Sequence, residues 1–210
     1  MIDFLLHFDK HLLQFIGDYG SWVYGILFAI IFAETGFVVT PFLPGDSLLF
    51  ATGAIAAQDK LAPWPTFALL ASAAFLGNLV NYAVGRTIGP RVFTADAQAR
   101  GLARFMNREY LDRAHRFFES YGGKAIVLGR FVPIVRTFVP FVAGAGYMTW
   151  SVFVTFNAIG AIAWVGVCLL AGFLFGNVPI VKDHFSLVTI GIVIVSLIPL
   201  GVEALRARRR

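Results

Sequence analysis

The sequence predicts an all-α polytopic membrane protein made of two re-entrant helical hairpins plus transmembrane helices in an inverted repeat. Three observations carry this expectation. First, 58% of the 210 residues are hydrophobic, 22 are phenylalanine, and the mean hydropathy is +0.76. That is too apolar for a soluble core with a polar shell. Second, two long apolar runs are broken by prolines and carry charge: Phe32-Ala-Glu-Thr-Gly-Phe-Val-Val-Thr-Pro-Phe-Leu-Pro-Gly-Asp-Ser-Leu-Leu-Phe50, which is acidic, and Gly129-Arg-Phe-Val-Pro-Ile-Val-Arg-Thr-Phe-Val-Pro-Phe-Val-Ala-Gly144, which is basic. Third, the two halves match in places. Phe50-Ala-Thr-Gly-Ala54 pairs with Phe141-Val-Ala-Gly-Ala145, Trp64-x-x-Phe67 with Trp150-x-x-Phe153, and Gly85/Gly89 with Gly172/Gly176.

In chain order, residues 1–20 place Phe4, Leu5, Phe8, Leu12, Phe15 and Ile16 at helical spacing, which predicts an interfacial amphipathic helix. His7 and His11 share a face of it, but no carboxylate completes a metal motif, so they read as a wet face. No metal or cofactor is expected. The start Met-Ile-Asp lacks a basic n-region, so insertion is expected from internal spans.

Residues 21–89 form the first repeat, a broken hairpin followed by a transmembrane helix. Pro41, Pro44 and Gly45 rule out one straight helix, and two arms folded back at this tip are tolerable at membrane depth only where buried or wet. A polar turn at 58–65 leads to a span at 66–85, which Gly85 and Gly89 are read as ending. Residues 90–124 form a basic amphipathic segment on the cytoplasmic side. Between 86 and 124, eight Lys/Arg face four Asp/Glu.

Residues 125–176 form the second repeat, with its break at Pro133 and Pro140 and a span from about 150 to 175; residues 185–210 add a C-terminal span and a tail ending Arg208-Arg-Arg210. Counting spans back from this basic tail gives the halves opposite orientations, as in transporters with discontinuous helices. The net charge of +5 lies beside apolar spans, where it favours anionic membrane lipids and gives no reason to expect nucleic acid. Cys168 is alone, which excludes an intrachain disulfide. The pattern is compatible with a homo-oligomer.

Charges at membrane depth are costly and mark function unless packing explains them, which singles out Glu34, Asp46, Arg130 and Arg136. Forked guanidinium donors near a broken helix end suit phosphate. The plainer alternative is that both arginines neutralise Glu34 and Asp46 as buried ion pairs, and the two readings are compatible. Burial favours a neutral carboxyl and an opposing arginine an ionised one, so substrate phosphate and carboxylate can compete for one arginine. Gly-Asp-Ser also reads as an N-cap with Asp46 capping an arm that begins at Ser47, and capping and titration are left open for that residue.

These residues bring a family into view. Glu34-x-Gly36, Pro41-x-x-Pro44-Gly45-Asp46 and Gly129-Arg130-Phe131-x-Pro133-x-x-Arg136-Thr137, followed by Ala143-Gly144, resemble the DedA family of bacterial inner-membrane proteins, also called the SNARE-associated or VTT-domain family. The resemblance covers roughly residues 30 to 175 and is specific in combination. It implies a functional acidic pair at Glu34 and Asp46 and a functional arginine pair at Arg130 and Arg136, with Thr137 beside them. It also implies a multi-pass protein of the bacterial inner membrane, dependent on the proton motive force, that supports the cell envelope. For several members it implies translocation of undecaprenyl phosphate or phospholipid.

The expected function is therefore a non-enzymatic flippase for lipid phosphate, returning undecaprenyl phosphate to the cytoplasmic leaflet with proton coupling. The alternatives are a proton-coupled carrier of small ions or solutes and a structural membrane-assembly factor. An intramembrane phosphatase lacks its Lys-x6-Arg-Pro and Ser-Gly-His patterns. One prediction tests the orientation. In a chain with Cys168 replaced, cysteines substituted for Arg104 and Asp183 should differ on intact cells, with an impermeant maleimide labelling only the second. Equal labelling from outside would refute the opposed halves.

Overall fold

A computed structural model describes residues 20–37, 45–93, 118, 121–131, 135–175 and 178. Six helices are defined: α1 (Trp22–Gly36), α2 (Gly45–Ala56), α3 (Pro63–Phe93), α4 (Lys124–Gly129), α5 (Val135–Ala145) and α6 (Trp150–Phe175). The described residues contain no strand. The amphipathic helix read at 1–20, the tip prolines Pro41, Pro44 and Pro133, most of the basic segment at 90–124 and the span at 185–210 lie outside the described residues.

Among the described residues, two helical stretches are long and apolar enough to cross a membrane, Pro63–Gly89 with 27 residues and Trp150–Phe175 with 26. At 1.5 Å per residue each exceeds the ~30 Å hydrocarbon thickness. Along α6, Ile159, Ile162, Val167, Leu170 and Leu174 are all exposed. Apolar side chains directed outward along an entire helix match a lipid solvent and mismatch water.

The chain divides into two compact units, one holding residues 1–31, 42–73 and 163–210, the other residues 32–41 and 74–162. In the first, Val23, Leu27 and Ile31 of α1 and Leu48, Leu49, Ala51 and Ala54 of α2 are buried. Arm α2 lies against the second half of α6 so closely that a Cβ on Gly53 would overlap the Leu169 carbonyl, and one on Gly172 the Phe50 carbonyl. In the second unit, arm α5 lies against α3 in the same way. A Cβ on Gly144 would overlap the Tyr82 carbonyl, and one on Gly85 the Phe141 carbonyl. The core of this unit is built on Tyr82, Phe118, Ile126, Ala143, Met148 and Phe153. Tyr82 stacks on Phe153 with ring centroids 4.3 Å apart, and its hydroxyl donates to the Met148 carbonyl.

The structure corrects four details of the sequence reading. The apolar span ends at Gly89 as read, but the two glycines do not end the helix, because α3 continues to Phe93. They are packing positions, Gly85 under Phe141 and Gly89 under Ala145, and a glycine within an apolar helix need not stop it. The stretch at 58–65 is only in part a turn, since Pro63 and Trp64 already belong to α3. Proline fits there because a first-turn N–H has no intrahelical acceptor. Arm α2 starts at Gly45, so Asp46 stands within its first turn and does not cap a helix starting at Ser47. Finally, Pro140 is no hairpin tip but a buried residue inside α5.

The carbonyl contacts make the glycines a test of the packing. Gly144→Ala and Gly53→Ala should each lower stability by about 1–3 kcal/mol, the usual cost of overpacking, because backbone cannot yield as a side chain does. Gly25→Ala, where a Cβ meets nothing within 4 Å, should be neutral or slightly stabilising. Thermal denaturation in detergent measures all three.

Candidate functional site

The second unit contains a cluster of polar residues with almost no exposure. Glu34 ends the apolar run of α1 and is fully buried at 0% exposure. Its Oε1 accepts a hydrogen bond from Nη2 of Arg136, whose side chain is only 9% exposed, so the two form a buried ion pair. Arg136 lies in the first turn of α5. Four residues later Pro140 lies within that helix, and with no N–H it cannot bond the Arg136 carbonyl as an ordinary residue would.

Arg130 follows α4, on the other side of the break, and is also buried. Its Nη1 donates to Asn157 Oδ1 at 2.9 Å and its Nη2 to the Ala74 carbonyl at 3.0 Å. Asn157, on α6, is fixed in turn by donating to the Phe75 carbonyl at 3.0 Å. Asn78 adds a further contact. One end of its amide lies 2.9 Å from both Asn157 Oδ1 and Arg130 Nη1, the other 3.3 Å from the Thr35 carbonyl. With its oxygen toward the guanidinium, Asn78 accepts from Arg130 Nη1 and donates to the Thr35 carbonyl. Arg130 is also within electrostatic reach of both Arg136 and Glu34.

Asn81 ties the broken segments together. Its Nδ2 donates to the Thr137 carbonyl at 2.8 Å and to the Thr35 carbonyl at 3.2 Å, bridging the start of α5 and the end of α1. Its Oδ1 is buried with no donor among the described residues, an acceptor that a water or a protonated group can use. Gly77 makes room for the Glu34 segment, since a Cβ there would overlap Thr35 Oγ1 and approach the Phe32 carbonyl.

The other acid is placed in the first unit. Asp46, in the first turn of α2, accepts a hydrogen bond from Trp164 Nε1 at 2.8 Å. A carboxylate at that position also complements the positive end of the helix dipole. Of the residues expected to function, the structure thus joins Glu34 to Arg136, brings Arg130 and Thr137 into the same unit, and gives Asp46 a tryptophan partner. Thr137 contributes through its backbone carbonyl and is itself buried. Gly45 opens α2 and is buried. No group of three or more His, Cys, Asp or Glu able to hold a metal occurs among the described residues.

Sequence reasoning passed over Asn157 and Trp164 and took Asn78 and Asn81 only as the few polar members of a span. The usable signal was the rule that a polar side chain at membrane depth requires a partner.

The VTT domain model matches residues 43–174 of this chain. Protein DedA of Escherichia coli (strain K12) is 47% identical over 211 residues, covering 100% of this chain and 94% of that protein. The chain belongs to the DedA family of membrane proteins. An uncharacterized membrane protein of Mycobacterium tuberculosis (strain H37Rv) is 43% identical over 92% of this chain and 83% of its own length. The inner membrane protein YghB of E. coli K12 is 35% identical over 87% and 78%. No solved structure matches. With membrane and inner-membrane proteins as relatives, a bacterial membrane location follows for this DedA-family chain.

The buried pair sets up a double-mutant test. Removing one partner strands the other charge, so Glu34→Ala or Arg136→Ala alone should destabilise by about 3–5 kcal/mol. The double variant should lose clearly less than the sum of the single losses. Thermal denaturation in detergent measures the coupling, and strict additivity would mean that the pair does not hold in the folded protein.

Proposed function

We propose that this DedA-family protein is a proton-coupled flippase for lipid phosphate that returns undecaprenyl phosphate to the cytoplasmic leaflet and so supports the cell envelope. The observation that carries the reading is the buried pairing of Glu34 with Arg136, with a second guanidinium, Arg130, held within electrostatic reach. Two guanidiniums thus stand by one carboxylate, and a phosphate monoester suits forked donors better than a carboxylate does.

In this mechanism the lipid phosphate takes the place of Glu34 on Arg136. The displaced carboxylate, buried and without its counter-charge, binds a proton from the aqueous phase. When the phosphate leaves, Glu34 gives up that proton and returns to Arg136. One proton is thereby exchanged for each head group carried, and no bond in the cargo breaks. The polyprenyl tail stays in lipid, so only the head group needs a protein path.

The same reading takes α1 with α2, and α4 with α5, as two re-entrant hairpins in an inverted repeat with the C-terminus cytoplasmic. Support comes from the matched packing: arm glycines Gly53 and Gly144 meet carbonyls of the long helices, and long-helix glycines Gly172 and Gly85 meet carbonyls of the arm phenylalanines Phe50 and Phe141. These are the positions that correspond in the two halves of the sequence. Asp46 serves the mechanism as a second acid, held by Trp164.

The test is uptake of labelled undecaprenyl phosphate into proteoliposomes with and without an imposed pH gradient. The parent should respond to the gradient. Glu34→Gln, which keeps shape and removes titration, should lose that response while still binding the lipid. Arg136→Lys and Arg130→Lys, which keep charge but lose the planar fork, should reduce uptake at least about tenfold, the scale of losing a strong charge-assisted hydrogen bond. Monodispersity and thermal stability serve as the folding controls. Parental uptake by both lysine variants would exclude forked phosphate recognition, and uptake of a small inorganic anion in place of the lipid would favour a solute carrier.

A further inference from the structure

We propose a second anion site, separate from the buried pair, in which Arg86 binds the phosphate of an anionic membrane lipid at the bilayer surface. A pocket of about 360 Å³ is lined by Tyr82, Ala83, Arg86, Thr87 and Trp150. Arg86 lies in the last turn of the apolar stretch Pro63–Gly89, and Trp150 is the first residue of the stretch Trp150–Phe175. One span's end and the other's beginning meet there, at the depth of lipid head groups, where tryptophan and tyrosine also settle.

The guanidinium is aimed by its neighbours. Arg86 is exposed, its Nη1 donates to Tyr82 Oη at 2.9 Å, and the Tyr82 hydroxyl is itself committed to the Met148 carbonyl. The Tyr147 ring lies 5.8 Å from the guanidinium carbon. No carboxylate pairs with Arg86 among the described residues. A cation held at one edge by a hydroxyl and flanked by an aromatic ring keeps its other donors for a ligand.

The backbone adds an independent observation. Helix α5 ends in a left-handed turn in which the Tyr147 N–H bonds the Gly144 carbonyl and the Met148 N–H the Ala143 carbonyl, both at 3.0 Å. The residue in the left-handed conformation is usually glycine. Here it is Tyr147, at φ +55°, directly after Gly146. Such strain persists where something else requires the side chain, and the ring placed beside Arg86 is what it provides. The corresponding pocket in the other unit, lined by Gly53, Trp64, Phe67, Leu169 and Phe173 among others, contains no charge. The arginine is thus a departure from an otherwise apolar design.

Titration of detergent-purified protein with phosphatidylglycerol and phosphatidylcholine, followed by native mass spectrometry, tests the site. The parent should prefer phosphatidylglycerol. Arg86→Gln should weaken that binding about tenfold, and Lys124→Gln, which removes an exposed charge elsewhere, should not change it. Tyr147→Gly relieves the left-handed strain, so it should weaken phosphatidylglycerol binding about threefold without lowering the melting temperature, an outcome that a purely structural tyrosine would not give. If Arg86→Gln fails to fold, Ala83→Glu, at an exposed lining position, sets a carboxylate against the guanidinium and should abolish the preference. Equal binding of the two lipids, parental binding by the Arg86 and Ala83 variants, or displacement of the lipid by millimolar inorganic phosphate would each overturn the assignment.

Discussion

The Glu34–Arg136 pair is the constraint to which the second unit answers. Neither charge is tolerable alone in an apolar interior, and together they are tolerable only with good geometry and satisfied surroundings. The partners are 102 positions apart in sequence, one at the end of α1 and one at the start of α5. Their pairing fixes both broken ends at one place. Asn81 reinforces the closure by bonding the Thr35 and Thr137 carbonyls, each next to one member of the pair. Backbone carbonyls at helix breaks have lost their intrahelical donors, so a side-chain amide serves there as a substitute ladder. A buried pair of this kind contributes little net stability, and its retention points to specificity or switching.

Close approach makes such a site affordable. Gly77 admits the Thr35 segment, while Gly85 and Gly144 bring α5 onto α3 until backbone meets backbone. Helices packed in lipid gain no hydrophobic free energy from association, so van der Waals contact and polar bonds have to hold them together. Small residues permit the first and the asparagines supply the second. Arg130 shows both at once: its side chain passes within ordinary contact distance of Gly160, where a Cβ would lie 3.4 Å from Cδ, and ends on Asn157 and the Ala74 carbonyl.

Much of this was legible in the sequence, because charge at membrane depth is conspicuous. Glu34, Arg130 and Arg136 stand out in apolar runs, and the prolines around them forbid straight helices. The extents of α6 and the breaks after α1 and α4 followed from hydropathy and proline alone. Other features could not be read locally. Whether Gly85 ends a helix or admits a neighbour depends on what packs there, and nothing in its own surroundings tells. Pro140 carries the same breaker signal as the tip prolines, yet α5 continues through it. Asp46 reads locally as a cap or a titrating acid, and its bond to Trp164, 118 positions away, has no signal in the residues around it. Asparagines inside spans announce that a partner exists and leave its identity to the fold.

The two units share a mode of packing and differ in chemistry, and that difference says where function was added. The offset that carries Gly85 onto Gly172 carries Asn78 onto Val165, Asn81 onto Cys168, Tyr82 onto Leu169 and Arg86 onto Phe173. Asn78 and Asn81, which bond the second unit's broken ends, thus have an apolar and a weakly polar counterpart in the first. The first unit retains the glycine contacts and, at its own arm, a bond between Asp46 and Trp164. Since close packing is common to both units, it cannot be the reason for the polar network. The network goes with the charges, because the described residues of the first unit make the same glycine contacts with no arginine among them. Their presence is what the proposed exchange of Glu34 for a phosphate on Arg136, beside the buried Arg130, would explain.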